Sequence, residues 1–381
     1  MDNGNRQRHK TTDKLFRNVT LVKADLIDKP RRKGAVFGLV LTFLVLVAAT
    51  WGAHAYFTLH ATVSQMSQGN TNTATSAKIA ARKPISILVL GVDQGIEGRH
   101  DQGNSDTIIL VTANPQTKKA TMTSIPRDTL TEILGETSAK SYFMFKVNSA
   151  YQFGGSHGSV KTVSALLNVP VDYYLEVNMK ALKSLVDALG GVDVQVPFSF
   201  SYDWCDFRKG KQHLNGRHAV AYARMRYDDP KGDYGRQLRQ RQIIQAVVKK
   251  ALSINGLANY QKLLKIFAKY VKTNLTFGDM TSLALNYRGA ARNVTSGYIQ
   301  GHDAMISGTS FQIASTEELQ KWSDKLRKSL GLATQTLANQ ETRQNSLNES
   351  YNGTDFSKSD TFTDYTIYDA NSVTPRNSDS W

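Results

Sequence analysis

One cysteine, Cys205, stands among 381 residues, which excludes an intrachain disulfide and a cysteine-based zinc site. Acids are scarce as well: 32 Asp and Glu face 47 Lys and Arg, leaving a net charge of +15. That imbalance favours anionic partners (phosphate, acidic polymer, membrane surface or nucleic acid) without choosing among them. No GxxxxGK[ST] run occurs, which disfavours a P-loop kinase, and no repeat of fixed period is visible.

Only one long stretch lacks charge. Residues 34–53, GAVFGLVLTFLVLVAATWGA, run twenty positions without a charged side chain. At 1.5 Å per residue this spans the roughly 30 Å of a bilayer's hydrocarbon core. Ten basic residues precede it against four acids, and Arg31, Arg32 and Lys33 abut it. The bias toward cations predicts a cytoplasmic N-terminus and an extracellular remainder. The sequence AHA at 53–55 mimics a signal-peptidase site, but the apolar run exceeds a signal-peptide core of roughly 7–15 residues, so an uncleaved anchor is expected. Chemistry beyond such an anchor proceeds without cytoplasmic ATP, so a transferase there needs a substrate that is already activated.

The expected organisation is a basic cytoplasmic tail (1–33), a transmembrane helix (34–57), a Thr/Ser/Asn-rich stalk (58–83), an ordered domain of strands and helices (84–253), a helical extension of it (254–331) and a disordered Ser/Thr/Asn-rich tail (332–381). The last carries seven acids and three bases over 333–381. ISILVLG (85–91) and TIILVTA (107–113) are apolar on both faces, as central strands covered on both sides are. KATMTSI (119–125), DYYLEVN (172–178) and VDVQVPF (192–198) also read as strands. GSVKTVSALLNV (158–169) and MKALKSLVDALGG (179–191) show helical spacing. Strands alternating with helices predict an α/β fold, a central sheet covered by helices.

The densest charge lies at 222–242, YARMRYDDPKGDYGRQLRQRQ, with five arginines, three aspartates and a lysine. AVAYARM (219–225) reads as a strand, in which Arg224 and Arg226 point to the same side. DDPKGD reads as a turn, with Asp233 as N-cap of a helix to about Leu252. Arg236, Arg239 and Gln240 then share one face near a helix start, where backbone N–H groups favour an anion. Two readings stand at this point: a solvated face of ion pairs, or an anion pocket. Asp93 and Asp106 flank a loop between two predicted strands. They either cap that loop or share a hard cation such as Mg²⁺ or Mn²⁺. Arg127 follows a strand end in SIPRDT (124–129), a position suited to facing a site. KVNSAYQFGG (146–155) adds Lys146.

In order along the chain, ILVLGVD, SDTIILVTANPQTKKATMTSIPRDT, KVNSAYQFGG, LVDALGGVDV and LNGRHAVAYARMRYDDPKGDYGRQLRQRQIIQAV closely resemble the LytR-CpsA-Psr (LCP) family of Gram-positive cell-envelope proteins. The likeness covers about Pro84 to Leu252. It implies a mixed sheet between helices with a hydrophobic groove for a lipid, after one membrane helix. It also implies a phosphotransferase that moves an anionic glycopolymer, teichoic acid or capsular polysaccharide, from undecaprenyl pyrophosphate to peptidoglycan through a phosphodiester. Carried over by motif, Asp93 and Asp106 hold the metal. Arg127, Lys146, Arg224, Arg226 and Arg236 contact the pyrophosphate, and Asp233 and Gln240 complete the site. Arg127, Arg224, Asp233 and Arg236 are the expected catalytic set. The rival readings are a polyprenyl-pyrophosphate-binding scaffold, a pyrophosphatase, and an envelope-linked transcriptional attenuator. The last is disfavoured because the arginine-rich domain would lie across the membrane from the chromosome, so no nucleic acid partner is expected.

Overall fold

The computed structural model describes residues 75–92, 103–135, 143–253, 263, 266–267, 269–358 and 361–376. The expected cytoplasmic tail and membrane helix lie outside these residues. Among those described, no helix is long and apolar enough to cross a membrane.

In chain order the elements are α1 (Ala77–Ala80), β1 (Ile85–Val92), β2 (Ser105–Asn114), β3 (Lys119–Ser124), β4 (Leu130–Glu132), β5 (Met144–Lys146), α2 (Ser149–Leu167), β6 (Tyr173–Asn178), α3 (Met179–Ala188), β7 (Val192–Val196), β8 (Phe200–Tyr202), β9 (Cys205–Phe207), β10 (Gly210–Leu214), α4 (Gly216–Arg224) and α5 (Gly232–Ala251). Then follow β11 (Val271–Thr273), α6 (Phe277–Asn286), α7 (Arg288–Arg292), β12 (Val294–Tyr298), β13 (His302–Ile306), β14 (Thr309–Ile313), α8 (Thr316–Ser329) and α9 (Gln340–Tyr351).

Six strands form a mixed sheet in the order β11-β6-β1-β2-β3-β12. The β1–β2, β2–β3 and β6–β11 pairs are antiparallel, and β1–β6 and β3–β12 are parallel. One face buries Leu88, Leu90 and Leu110 against Leu166 of α2 and Trp322 and Leu326 of α8. α5 crosses the other face, where its Arg241 donates to Ser124 Oγ (2.6 Å) and Ser296 Oγ (2.9 Å). A satellite core joins the β7–β10 hairpin to α4 and α5 through Val194, Leu214, Tyr222 and Ile243. The doubly apolar runs thus became central strands because both faces are covered.

Four readings are corrected. AVAYARM is the end of helix α4 (Gly216–Arg224) and not a strand: Asn215 caps it by accepting from His218 N, and Ala219, Ala221, Tyr222 and Ala223 are buried. Alanine-rich sequence with a good N-cap favours the helix over the strand. Residues 254–331 are not solely helical, since β12 completes the sheet beside β3 and β13–β14 form a hairpin. Order also starts before residue 84, because Ile79 of α1 is fully buried against Ile85, Tyr173 and Tyr287.

The fourth correction concerns the tail. Residues 340–351 form α9, and Tyr365, Ile367 and Tyr368 are buried. The polar composition that suggested disorder is what orders it. Gln344 exchanges two hydrogen bonds with the backbone of Tyr368, each 2.9 Å, and Asn348 exchanges two with the backbone of Thr366 (2.9 and 2.7 Å). Side-chain amides of a helix thereby satisfy the polar backbone of the returning chain. Apolar side chains of that chain cover Leu130, Met144 and Phe311.

Glu341, almost fully buried, accepts from Thr131 Oγ1 (2.6 Å) and Glu132 N (2.8 Å). Burial raises its pKa above the usual carboxylate range. A carboxyl whose folded pKa is raised holds its proton longer when folded, so its stabilising effect is present at low pH and is lost as pH rises through the folded value. Glu341→Gln keeps the accepting oxygen without the charge. The Tm of this variant should decline less than that of the wild type as pH rises above about 4.5. Parallel curves would rule out an ionising Glu341.

Candidate functional site

The site forms where β1 and β3 end and β2 begins. Asp106 is the second residue of β2, beside the β1–β2 irregularity at Gly91/Val92. Pro126 follows the end of β3 and turns the chain, its carbonyl accepting from Thr129 N (3.0 Å) and Thr129 Oγ1 (2.7 Å). This turn presents Arg127, which donates to Asp106 Oδ1 at 2.7 Å. The neighbouring Asp128 meets Lys146 Nζ at 2.9 Å and Arg127 Nε at 3.5 Å. β5 carries Lys146, with Leu130 as its antiparallel partner and its ammonium 5.6 Å from the centre of the Phe311 ring.

α5 supplies the opposite wall. Its N-cap is Lys231, so the expected cap Asp233 instead lies in the first turn, where a carboxylate suits the helix dipole. Asp233 sits 2.6 Å from Arg236 Nη2 and accepts from Gln237 Nε2 at 2.8 Å. Burial lowers the pKa of Arg236; the charges of Arg127 and Arg226 act the same way, against Asp233 and Asp106. For Arg127, burial opposes the charge, but the hydrogen bond and charge of Asp106, with Asp128 and Asp233 behind it, raise the pKa overall. These groups therefore act on one another electrostatically as a single cluster. Two of its buried donors, Arg127 Nε and Arg236 Nε, have no hydrogen-bond partner among the described residues. Buried guanidinium N–H groups left in this state are suited to an incoming anion.

The remaining predicted residues fall less tightly. Arg226 is half-buried on the loop before α5, with its guanidinium 5.3 Å from the Tyr227 ring centre. Because α4 ends at Arg224, Arg224 and Arg226 do not share a strand face. Arg224 is exposed at the helix end and makes no hydrogen bond or ion pair among the described residues. Gln240 contacts Ala223 O at 3.5 Å and stands one turn beyond Arg236. Asp93 lies outside the described residues.

Arg239 is not a ligand-facing group. It is fully buried, ion-paired to Asp229, and donates to the carbonyls of Tyr222 (3.0 Å) and Met225. A Cβ on Gly235 would lie 2.0 Å from Asp229 Oδ2, so only glycine lets α5 approach this pair. Sequence reasoning also gave no role to Asp128, which links Arg127 to Lys146; its only signal was adjacency to Arg127.

A cavity of about 90 Å³ opens between sheet and helices, lined by Val89, Gly91, Thr107, Val177, Gln240 and Ile243. It begins one residue from Asp106 and one turn from Arg236, and its wall is almost wholly apolar.

Among the described residues no group of three His, Cys, Asp or Glu could hold a metal ion. Asp106 offers one carboxylate, a third exposed, with only Oδ1 engaged by Arg127. An oxygen donor beside anion-binding groups fits the habit of Mg²⁺, which binds through one or two carboxylates plus substrate phosphates.

The LytR_cpsA_psr family matches residues 53–328. The chain belongs to this family. It is 40% identical over 304 residues to the polyisoprenyl-teichoic acid--peptidoglycan teichoic acid transferase TagU of Enterococcus faecalis, covering 77% of this chain and 96% of that one. The crystal structure of protein gbs0355 from Streptococcus agalactiae matches with a TM-score of 0.64 at 38% identity, covering 69% of this chain and 93% of that one. A TagT structure bound to LIIa-WTA matches with a TM-score of 0.55 at 29% identity, covering 66% and 92%. This family member thus has the mixed sheet flanked by helices that the resemblance implied.

Proposed function

We propose that this LCP protein is a phosphotransferase that moves teichoic acid, or a related anionic glycopolymer, from a polyisoprenyl pyrophosphate carrier to peptidoglycan. The observation that carries this reading is the convergence of Arg127 and Arg236, from separate segments and with buried Nε donors that make no hydrogen bond among the described residues, beside an apolar cavity. A pyrophosphate with a greasy tail matches both halves of that arrangement. The name of the Enterococcus faecalis relative and the LIIa-WTA bound to TagT support the same chemistry.

Arg127 and Arg236 hold the two phosphoryl groups, with Lys146 and Arg226 as flanking charges. An acceptor sugar hydroxyl of peptidoglycan attacks the phosphorus that carries the glycopolymer. A new P–O bond forms, the pyrophosphate P–O bond breaks, and prenyl phosphate leaves. Asp233 is the carboxylate we assign to the hydroxyl proton, because Asp106 is the expected metal carboxylate and a metal-bound carboxylate is a poor base. Transition-state charge spreads over phosphoryl oxygens, so fixed guanidinium forks supply most of the catalysis. Mg²⁺ or Mn²⁺ on Asp106 and Asp93 would neutralise the leaving phosphate. A cavity of about 90 Å³ holds roughly three waters.

The same reading places residues 34–57 across the membrane, with the N-terminus inside and the described domain outside. The test is to incubate the full chain with a synthetic lipid-pyrophosphate oligosaccharide, peptidoglycan and Mg²⁺. A phosphodiester-linked product is expected. Free lipid phosphate alone would assign a pyrophosphatase instead. Arg224→Ala should lower transfer while leaving the far-ultraviolet circular dichroism intact, since its exposed side chain holds nothing in the fold. Unchanged transfer would remove Arg224 from the site.

A further inference from the structure

The end of the sheet opposite the site carries a second concentration of positive charge. Arg82, Lys83, Lys118, Lys119, Lys249, Arg288 and Arg292 are all exposed, and none has an ion-pair partner among the described residues. They come from four parts of the chain tied together by hydrogen bonds. Tyr287 Oη donates to Lys83 O (2.5 Å), Gln116 Nε2 to Arg82 O (3.4 Å), Asn293 Nδ2 to Lys118 O (3.0 Å) and Arg288 Nη2 to Leu252 O (2.9 Å). A cleft of about 890 Å³ runs between Lys249, Leu252, Arg288 and Arg292. The carboxylates that act on Tyr287 are engaged: Asp172 holds Lys78, and buried Asp279 caps α6. Leu285, three residues before Arg288, is 73% exposed, and Val248 beside Lys249 is also open to water.

Cations next to exposed aliphatic side chains are the composition of a surface that lies on an anionic bilayer. Two further facts point the same way. The chain enters the fold at this end, through α1 and the residues just before β1. The apolar cavity also lies along α5 between Arg236 and this patch. From Arg236 to Lys249 the helix rises about 20 Å. A carrier lipid with its pyrophosphate at Arg236 and its tail along Ile243 and Ile244 is directed toward Lys249.

We propose that this patch is a docking surface for anionic phospholipid headgroups. It would seat the domain upright, with the tail end of the cavity against the bilayer and the arginine cluster facing away. This inference rests on the lipid-carrier reading above. It adds a surface that touches neither pyrophosphate nor acceptor.

Leu285→Cys in the full chain can carry an environment-sensitive dye, because Cys205 is buried and escapes labelling. The chain is reconstituted in vesicles of phosphatidylcholine, with and without phosphatidylglycerol. Emission should shift to the blue only with the anionic lipid and revert with added salt. In a background of Lys118→Gln, Lys249→Gln, Arg288→Gln and Arg292→Gln, the ratio of lipid-contacting to water-exposed label should fall about fivefold for each cation removed. Water-like emission on both vesicles would overturn the proposal. A shift evoked by lipid-free teichoic acid, and not by anionic vesicles, would overturn it too by assigning the surface to the polymer. Two controls separate the readings. A carbonate wash that strips the chain refutes the anchor, while a dye that still shifts on anionic vesicles upholds the patch. Transfer from a short-chain, water-soluble carrier reads the chemistry alone and should be unchanged in the glutamine variants.

Discussion

Arg127→Ala is expected to lower kcat/KM for polymer transfer by about 10²–10³, with little change in thermal stability. The guanidinium is buried enough to act in a poorly screened site, yet its partner Asp106 is a third exposed and can recruit water once the pair is gone. Partly exposed pairs of this kind contribute about 0–1 kcal/mol to folding, so the loss should be confined to the chemistry. Arg127→Lys should recover only part of the rate, because an ammonium cannot present two parallel N–H groups to a phosphoryl oxygen pair. Steady-state kinetics on the lipid-pyrophosphate substrate check this. A loss below about tenfold for the alanine variant would place Arg127 outside the reacting centre.

Arg239→Ala should behave in the opposite way, failing first as a fold. Its side chain is fully buried, pairs with buried Asp229 and ties the carbonyls of Tyr222 and Met225, which close the loop carrying Arg226 into the start of α5. Removing it strands a buried carboxylate, a loss of about 3–5 kcal/mol. In a domain of this size each kcal/mol shifts Tm by about 2–4 °C. Calorimetry should therefore show Tm lower by about 6–20 °C. The double variant Arg239→Met with Asp229→Asn should recover most of that, because no isolated charge remains. A single variant with unaltered Tm would mean that the loop stands without this strut.

The two variants also separate what was legible in the sequence from what was not. The doubly apolar runs at 85–91 and 107–113 gave the central strands, since nothing but a covered sheet accommodates them. The placement of Arg127 after a strand end and of Arg236 near a helix start was legible from the local pattern. Arg239 looked equivalent to Arg236 by helical spacing, but whether a guanidinium faces a ligand or a carbonyl depends on the loop before α5, which no periodicity records. AVAYARM misled because short alanine-rich apolar stretches fit either period, and the Asn215 cap decided the matter. The polar tail misled for another reason. Low hydrophobicity signals disorder only where polar side chains have no backbone to serve, and α9 has residues 366–368.

That tail bears on where this protein can be divided. The family likeness stops at residue 328, inside α8, whereas Phe362, Tyr365 and Ile367 beyond it roof over Leu130, Met144 and Phe311. A boundary drawn by kinship alone would leave a sticky flank on the hairpin that bears Lys146. The packed body of this molecule thus runs beyond the span its lineage marks, and residues 340–358 and 361–376 belong to the building and not to its packaging.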